Sequence, residues 1–180
     1  QNEMDIFFNM FVGNGSIDGD GLSFSYGPDI STIPTPNTSN TPSATFSTSP
    51  YYFEMGIGSG LKISIDAFEN GFDPNFPYCG GSNIEGVYLI YNNSVINCYD
   101  PNAITPFWLD DTVFVKLFIS PSGRLTMYMD DSFNSYTIFN DVQLPSAYLT
   151  TDKSTWKAAF TARTGTSSLY SGRNKHMVDD

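Results

Sequence analysis

The chain has 180 residues, long enough for one domain with a sizeable core. Aromatic residues make up 16% and charged residues only 15%, with 19 Asp+Glu against 8 Lys+Arg and a net charge of −11. This balance repels a phosphate backbone, so nucleic acid is excluded as a partner, and no apolar run reaches the roughly 18 residues that read as a spanning helix.

In chain order, residues 4–12 alternate, with Met4, Ile6, Phe8, Met10 and Val12 on one face. The other face carries Asp5, Phe7, Asn9 and Phe11, which predicts a strand partly covered on both sides. A glycine-rich loop over 13–21 ends in Ile17-Asp18-Gly19-Asp20-Gly21. It feeds a second strand, Leu22, Phe24 and Tyr26 against Ser23 and Ser25, which stops at Gly27-Pro28. Residues 31–50 are rich in Ser, Thr, Pro and Asn, a composition shared by mucin-like linkers and surface loops. Strand patterns of the same kind resume directly after it, which favours a surface loop within a single domain over 1–180 and a place for O-glycans. Residues 51–53 and 61–68 continue the strands, and 85–91 with 94–98 read as a hairpin across Asn92-Asn93, whose side chains tolerate positive φ. Val113, Val115, Leu117 and Ile119 form the next strand, followed by Leu125, Met127 and Met129 and then 133–139, a meander with short turns. Trp156, Ala158, Phe160 and Ala162 make the last clear strand, before a loop over 163–174. No amphipathic helix of three turns is present. Many short strands with turns between them predict an all-β sandwich or barrel.

One stretch carries candidate chemistry. Ile63-Ser64-Ile65-Asp66-Ala67-Phe68-Glu69-Asn70-Gly71-Phe72-Asp73-Pro74 starts as an alternating strand and breaks into a loop. Asp66, Phe68 and Asn70 share one parity, and Asp73 follows a glycine-containing turn. Two carboxylates and an amide oxygen at this spacing suit a hard cation such as Ca²⁺; a plain polar loop at a strand end has the same composition. Cys79 and Cys98 flank a hairpin-like segment. Bridged, they would close a loop of roughly 20 residues and contribute about 3 kcal/mol; unbridged, they would be two buried thiols. A bridge points to an oxidising compartment. The sequons at Asn14, Asn37 and Asn92 (Asn14-Gly15-Ser16, Asn37-Thr38-Ser39, Asn92-Asn93-Ser94) agree with a secreted glycoprotein. The first residues have no signal-peptide pattern and begin inside a strand, so an upstream segment is expected to have been removed.

Four segments carry a resemblance. They are Gly19-Asp20-Gly21-Leu22-Ser23-Phe24; Asp66-x-Phe68-x-Asn70 with Asp73-Pro74; Gly123-Arg124-Leu125-Thr126-Met127-Tyr128-Met129-Asp130; and Phe160-Thr161-Ala162-Arg163-Thr164-Gly165 with His176 and Asp179 downstream. In this order they resemble the legume-type (L-type) lectin domain, a concanavalin A-like β-sandwich (jelly roll). The resemblance implies that Asp66, Phe68 (through its carbonyl), Asn70 and Asp73 hold Ca²⁺. It implies that Asp20 and Asn70 bond a sugar, that Gly21 leaves it room, and that Thr166, Ser167 and Tyr170 border the pocket, with Phe72 or Tyr170 stacking on the ring. A non-proline cis peptide at Gly19-Asp20 goes with that arrangement. Ser64 stands where the family's second, transition-metal site has a Glu, so no such metal is expected. His176 is expected at a strand start in a structural role.

The family's fold normally has a strand before residue 1 and one after the His-x-x-Asp segment. This chain is therefore expected to lack terminal strands, to belong to a longer extracellular polypeptide, and to offer open sheet edges to neighbouring copies or domains. Related hydrolases use Glu-x-Asp-x-x-Glu; Ser64-Ile65-Asp66-Ala67-Phe68-Glu69 lacks the first acid, so no enzyme is expected. The expected function is an extracellular, Ca²⁺-assisted, glycan-binding module. The alternative is a structural or adhesive building block of an extracellular assembly or filament.

Overall fold

The structure is a computed structural model describing residues 3–13, 21–30, 56–66, 86–100, 112–163 and 175–179. Ten strands and one short helix are described: β1 (Met4–Gly13), β2 (Gly21–Gly27), β3 (Leu61–Asp66), β4 (Gly86–Tyr91), β5 (Ser94–Tyr99), β6 (Thr112–Ile119), β7 (Arg124–Asp130), β8 (Ser135–Gln143), α1 (Ser146–Thr150), β9 (Lys157–Arg163) and β10 (Lys175–Asp179). They form two five-stranded antiparallel sheets. Sheet A has the order β10-β1-β6-β7-β8, and sheet B the order β5-β4-β3-β2-β9. The chain changes sheets after β1, β5, β8 and β9, the connectivity of a sandwich rather than of two separate meanders.

Alternation explains the core. Phe8 and Met10 of β1, Val113, Val115, Leu117 and Ile119 of β6, and Leu125, Met127 and Met129 of β7 point inward from sheet A. They meet Leu22, Phe24, Ile63, Ile65, Val87 and Leu89 from sheet B. Each such side chain removed from water contributes about 1.5–3 kcal/mol, which is what holds the sheets face to face.

Two turns depend on backbone chemistry. Asn92 and Asn93 have φ of 48° and 60°, the left-handed pair that a two-residue hairpin needs. Gly123 has φ of 75°, and a Cβ there would meet Leu149 Cδ2 at 2.1 Å, so only glycine fits between β6 and β7. Near it, α1 closes one end of the sandwich. Tyr148 is buried there, edge-on to Tyr91 and Trp156, and Lys153 lies 4.2 Å from the Tyr148 ring centroid. Burial pushes the Tyr148 hydroxyl well above its ordinary range.

The segment with His176 and Asp179 forms β10, at the edge of sheet A among the described residues, pairing antiparallel with β1 from Asn9↔Asp179 to Gly13↔Lys175. His176 lies within this strand, opposite Val12. Five residues that include Lys, His and Asp carry no clear apolar alternation, so backbone pairing to β1 rather than side-chain pattern defines it.

Candidate functional site

At the end of sheet B opposite α1, register places four backbone positions in one cross-strand row. Gly21 pairs with Asp66 on one side and Arg163 on the other, and Asp66 pairs with Gly86. Each position is a strand terminus: β2 begins at Gly21, β3 ends at Asp66, β4 begins at Gly86 and β9 ends at Arg163. The segments 14–20, 67–85 and 164–174 therefore all leave from this row. Segments 14–20 and 164–174 both lead to a second adjacent pair, Gly13 and Lys175, in sheet A.

Asp66 projects from the face of sheet B that points away from the core, on the same parity as Lys62 and Ser64. Its cross-strand neighbours Gly21 and Gly86 have no side chains, so the carboxylate is not crowded along the row. It is nevertheless 1% exposed. A carboxylate taken out of water needs compensating partners, and a hard cation supplies the strongest of them.

The next rows of this face are polar and covered. Thr161, Ser23, Ser64, Tyr88 and Cys98 stand side by side, and the Ser23 and Thr161 hydroxyls are 2.6 Å apart. Beyond them Ser25 accepts the Ile57 N–H at 3.0 Å. The covering piece is 56–60, where Gly56 lies so close to Ser25 Oγ that a Cβ would approach it to 2.5 Å. Lys62, 3% exposed, donates to Gly58 O at 3.0 Å and Asn93 Oδ1 at 2.7 Å. Burial lowers its amine to about 8 against the opposing pull of Asp29. Nothing in the alternation of Leu61-Lys62-Ile63-Ser64-Ile65-Asp66 announces that its polar residues are enclosed, and Lys62 escapes sequence reasoning for that reason.

Of the residues expected at a sugar or metal site, Gly21 and Asp66 lie together in this row. Asp20, Phe68, Asn70, Phe72, Asp73, Thr166, Ser167 and Tyr170 lie outside the described residues, as does the Gly19-Asp20 peptide. Asp20 and Thr166 belong to segments that begin or end at the row. Among the described residues no three His, Cys, Asp or Glu side chains gather to hold a metal. Asp66 fits the hard-oxygen ligand that Ca²⁺ requires, and Ser64, buried beside it, supplies no carboxylate for a second metal. Cys98 is disulfide-bonded, and Cys79, the chain's other cysteine, is outside the described residues. Asn92 is exposed at the β4–β5 turn, whereas Asn14 and Asn37 are outside the described residues.

No family model and no curated protein matches the chain. Among solved structures it is similar to the exoplasmic/lumenal domain of VIP36 in its Ca²⁺- and Man3GlcNAc-bound form. The TM-score is 0.54 and the identity 16%, over 98% of this chain and 68% of that one. The fold is that of an L-type lectin domain. Within this lectin-like sandwich, the Gly21–Asp66–Gly86–Arg163 row joins the first, second and fourth of the segments that carry the sequence resemblance, and the third forms β7 of sheet A. No described helix is long and apolar enough to cross a membrane.

Proposed function

We propose that the protein is an extracellular glycan-binding module whose site is the loop cluster at the Gly21–Asp66–Gly86–Arg163 row. The observation that carries this reading is the row itself. It brings the termini of the Asp20, Asp66–Asp73 and 164–174 segments side by side, although up to 142 residues separate Gly21 from Arg163. A structural neighbour that binds Ca²⁺ and a mannose oligosaccharide supports the same reading.

In this reading Asp66, the Phe68 carbonyl, Asn70 and Asp73 hold Ca²⁺, which supplies a fixed positive charge that orders the loop. Asp20 accepts from two sugar hydroxyls, the Asn70 amide donates to a third, and Gly21 leaves the ring space. Phe72 or Tyr170 offers an aromatic face, and Thr166 and Ser167 set which sugar fits. No catalytic pair belongs to this site. A Cys79–Cys98 bridge and glycans on Asn14, Asn37 and Asn92 would place it in the secretory pathway or outside the cell.

Calorimetric titration with a panel of oligosaccharides, with and without Ca²⁺, tests this. Binding that weakens on chelation and is lost in Asp20→Ala supports it. Binding indifferent to both sinks it and leaves the second reading, an adhesive building block of an extracellular assembly that keeps the fold. The aromatic outer face of sheet A favours that alternative, with Phe7 49% exposed beside Phe114 and Phe118.

A further inference from the structure

Lys62 sits in β3 with its side chain enclosed, two cross-strand rows from Asp66. Its amine donates to two neutral oxygens, Gly58 O and Asn93 Oδ1. The carboxylate whose charge reaches it, Asp29, is itself engaged by the Ser59 N–H at 2.8 and 2.9 Å and the Ser59 hydroxyl at 3.1 Å. An ammonium buried against neutral oxygens alone is costly. Its low proton affinity, about 8, leaves a share of the amine neutral, with a lone pair that makes it a nucleophile.

Asn93 is held just as firmly. It occupies a left-handed position of a two-residue turn, and that turn is tied to the start of β3 by the Asn92 N–H, which donates to Gly60 O at 3.0 Å. Amine and carboxamide are thus presented to each other by two ordered pieces of backbone, at 2.7 Å between Nζ and Oδ1. Asn93 is exposed, so a small leaving group has a way out and water is present to carry a proton.

We propose that Lys62 and Asn93 are a self-forming isopeptide cross-link. Neutral Nζ adds to Cγ of Asn93, a proton passes from Nζ to Nδ2 through solvent, and the Cγ–Nδ2 bond breaks to release ammonia. One amide replaces another, so no oxidant or reductant is consumed. The link removes the buried charge and ties β3 covalently to the β4–β5 turn. It stands independently of glycan binding.

The test uses the full chain produced without N-glycosylation, kept folded in mildly alkaline buffer and then reduced. Its intact mass is expected to be one ammonia below the sequence mass, and its digest to contain a branched peptide joining Lys62 to Asn93. Gln1, if it is the free terminus, also loses ammonia on cyclising, so the branched peptide decides. Lys62→Ala should lack that peptide. Asn93→Gly, which keeps the positive-φ turn, should lack it too and remains informative if Lys62→Ala does not fold. Linear peptides with unmodified Lys62 and Asn93 from folded wild-type protein overturn the proposal.

Discussion

The two sheets use the same alternating chemistry to opposite ends. In β6 of sheet A, Val113, Val115, Leu117 and Ile119 are buried while Phe114, Lys116 and Phe118 between them are half-exposed, and the Lys116 amine reaches Asp130 at the surface. In β3 of sheet B, Leu61, Ile63 and Ile65 face the core, yet Lys62, Ser64 and Asp66 on the other side are buried as well. A polar residue on sheet A is solvated and need do nothing. A polar residue on the covered face of sheet B must be satisfied by a partner, and the serines, Lys62 and Asp66 form the part of the molecule where chemistry is concentrated.

The comparison can be broken first at what the sheets share. Leu89→Ala in sheet B and Leu125→Ala in sheet A each remove a fully buried side chain from the same core. Each is expected to lower stability by about 2–5 kcal/mol in denaturant titrations. A much smaller loss in one sheet would mean that the core is not shared.

The next effect separates the sheets. In Asn93→Gly the Lys62 amine has to remain free; its native environment lowers it to about 8, chiefly by burial, against 10.5 in the unfolded chain. Between those two values the unfolded state binds more protons, so stability should rise with pH from about 8 towards 10, by up to about 3 kcal/mol. Above pH 10.0 the hydroxyls of half-buried Tyr26 and buried Tyr148, both held above that ordinary value by desolvation, oppose the trend. Wild-type protein carrying the cross-link should show no such rise, and chemical denaturation across this range distinguishes the two.

Sheet A supplies the smallest effect. The Asp130 carboxyl is held below its usual value chiefly by the bond from Lys116 and also by the Ser135 hydroxyl at 2.6 Å. This contribution is present above the ordinary carboxylate range and is lost as pH falls through it. Lys116→Met should cost less than about 1 kcal/mol at neutral pH, and the cost should vanish in acid or high salt. A cost that persisted under both conditions would mean that the lysine stem, not its charge, packs against Phe114.

Strands β6 and β7 of sheet A were the most legible because their alternation reports burial faithfully. β6 and β7 fall within a residue of where Val113 to Ile119 and Leu125 to Met129 place them. The β4–β5 turn is equally direct, since few residues besides Asn and Gly tolerate its dihedrals. Strand β10 was legible only through the strand start expected at His176, because a strand that pairs through its backbone needs no apolar pattern. The site was legible only in part. Asp66 follows from oxygen chemistry in the sequence, but its adjacency to Gly21 and Arg163 arises from strand order. The enclosure of Lys62 arises from the 56–60 crossing. Both are tertiary facts that no local pattern contains.

The central claim is that glycans bind at the loop end of sheet B and not on the aromatic outer face of sheet A. Hydrogen–deuterium exchange with and without a bound oligosaccharide, in Ca²⁺, tests it most directly. The account predicts protection confined to peptides spanning 20–22, 66–73 and 163–170, with the peptides of β1 and β6 unchanged. Protection centred on Phe7, Phe114 and Phe118 instead, or none anywhere at saturating ligand, would contradict it.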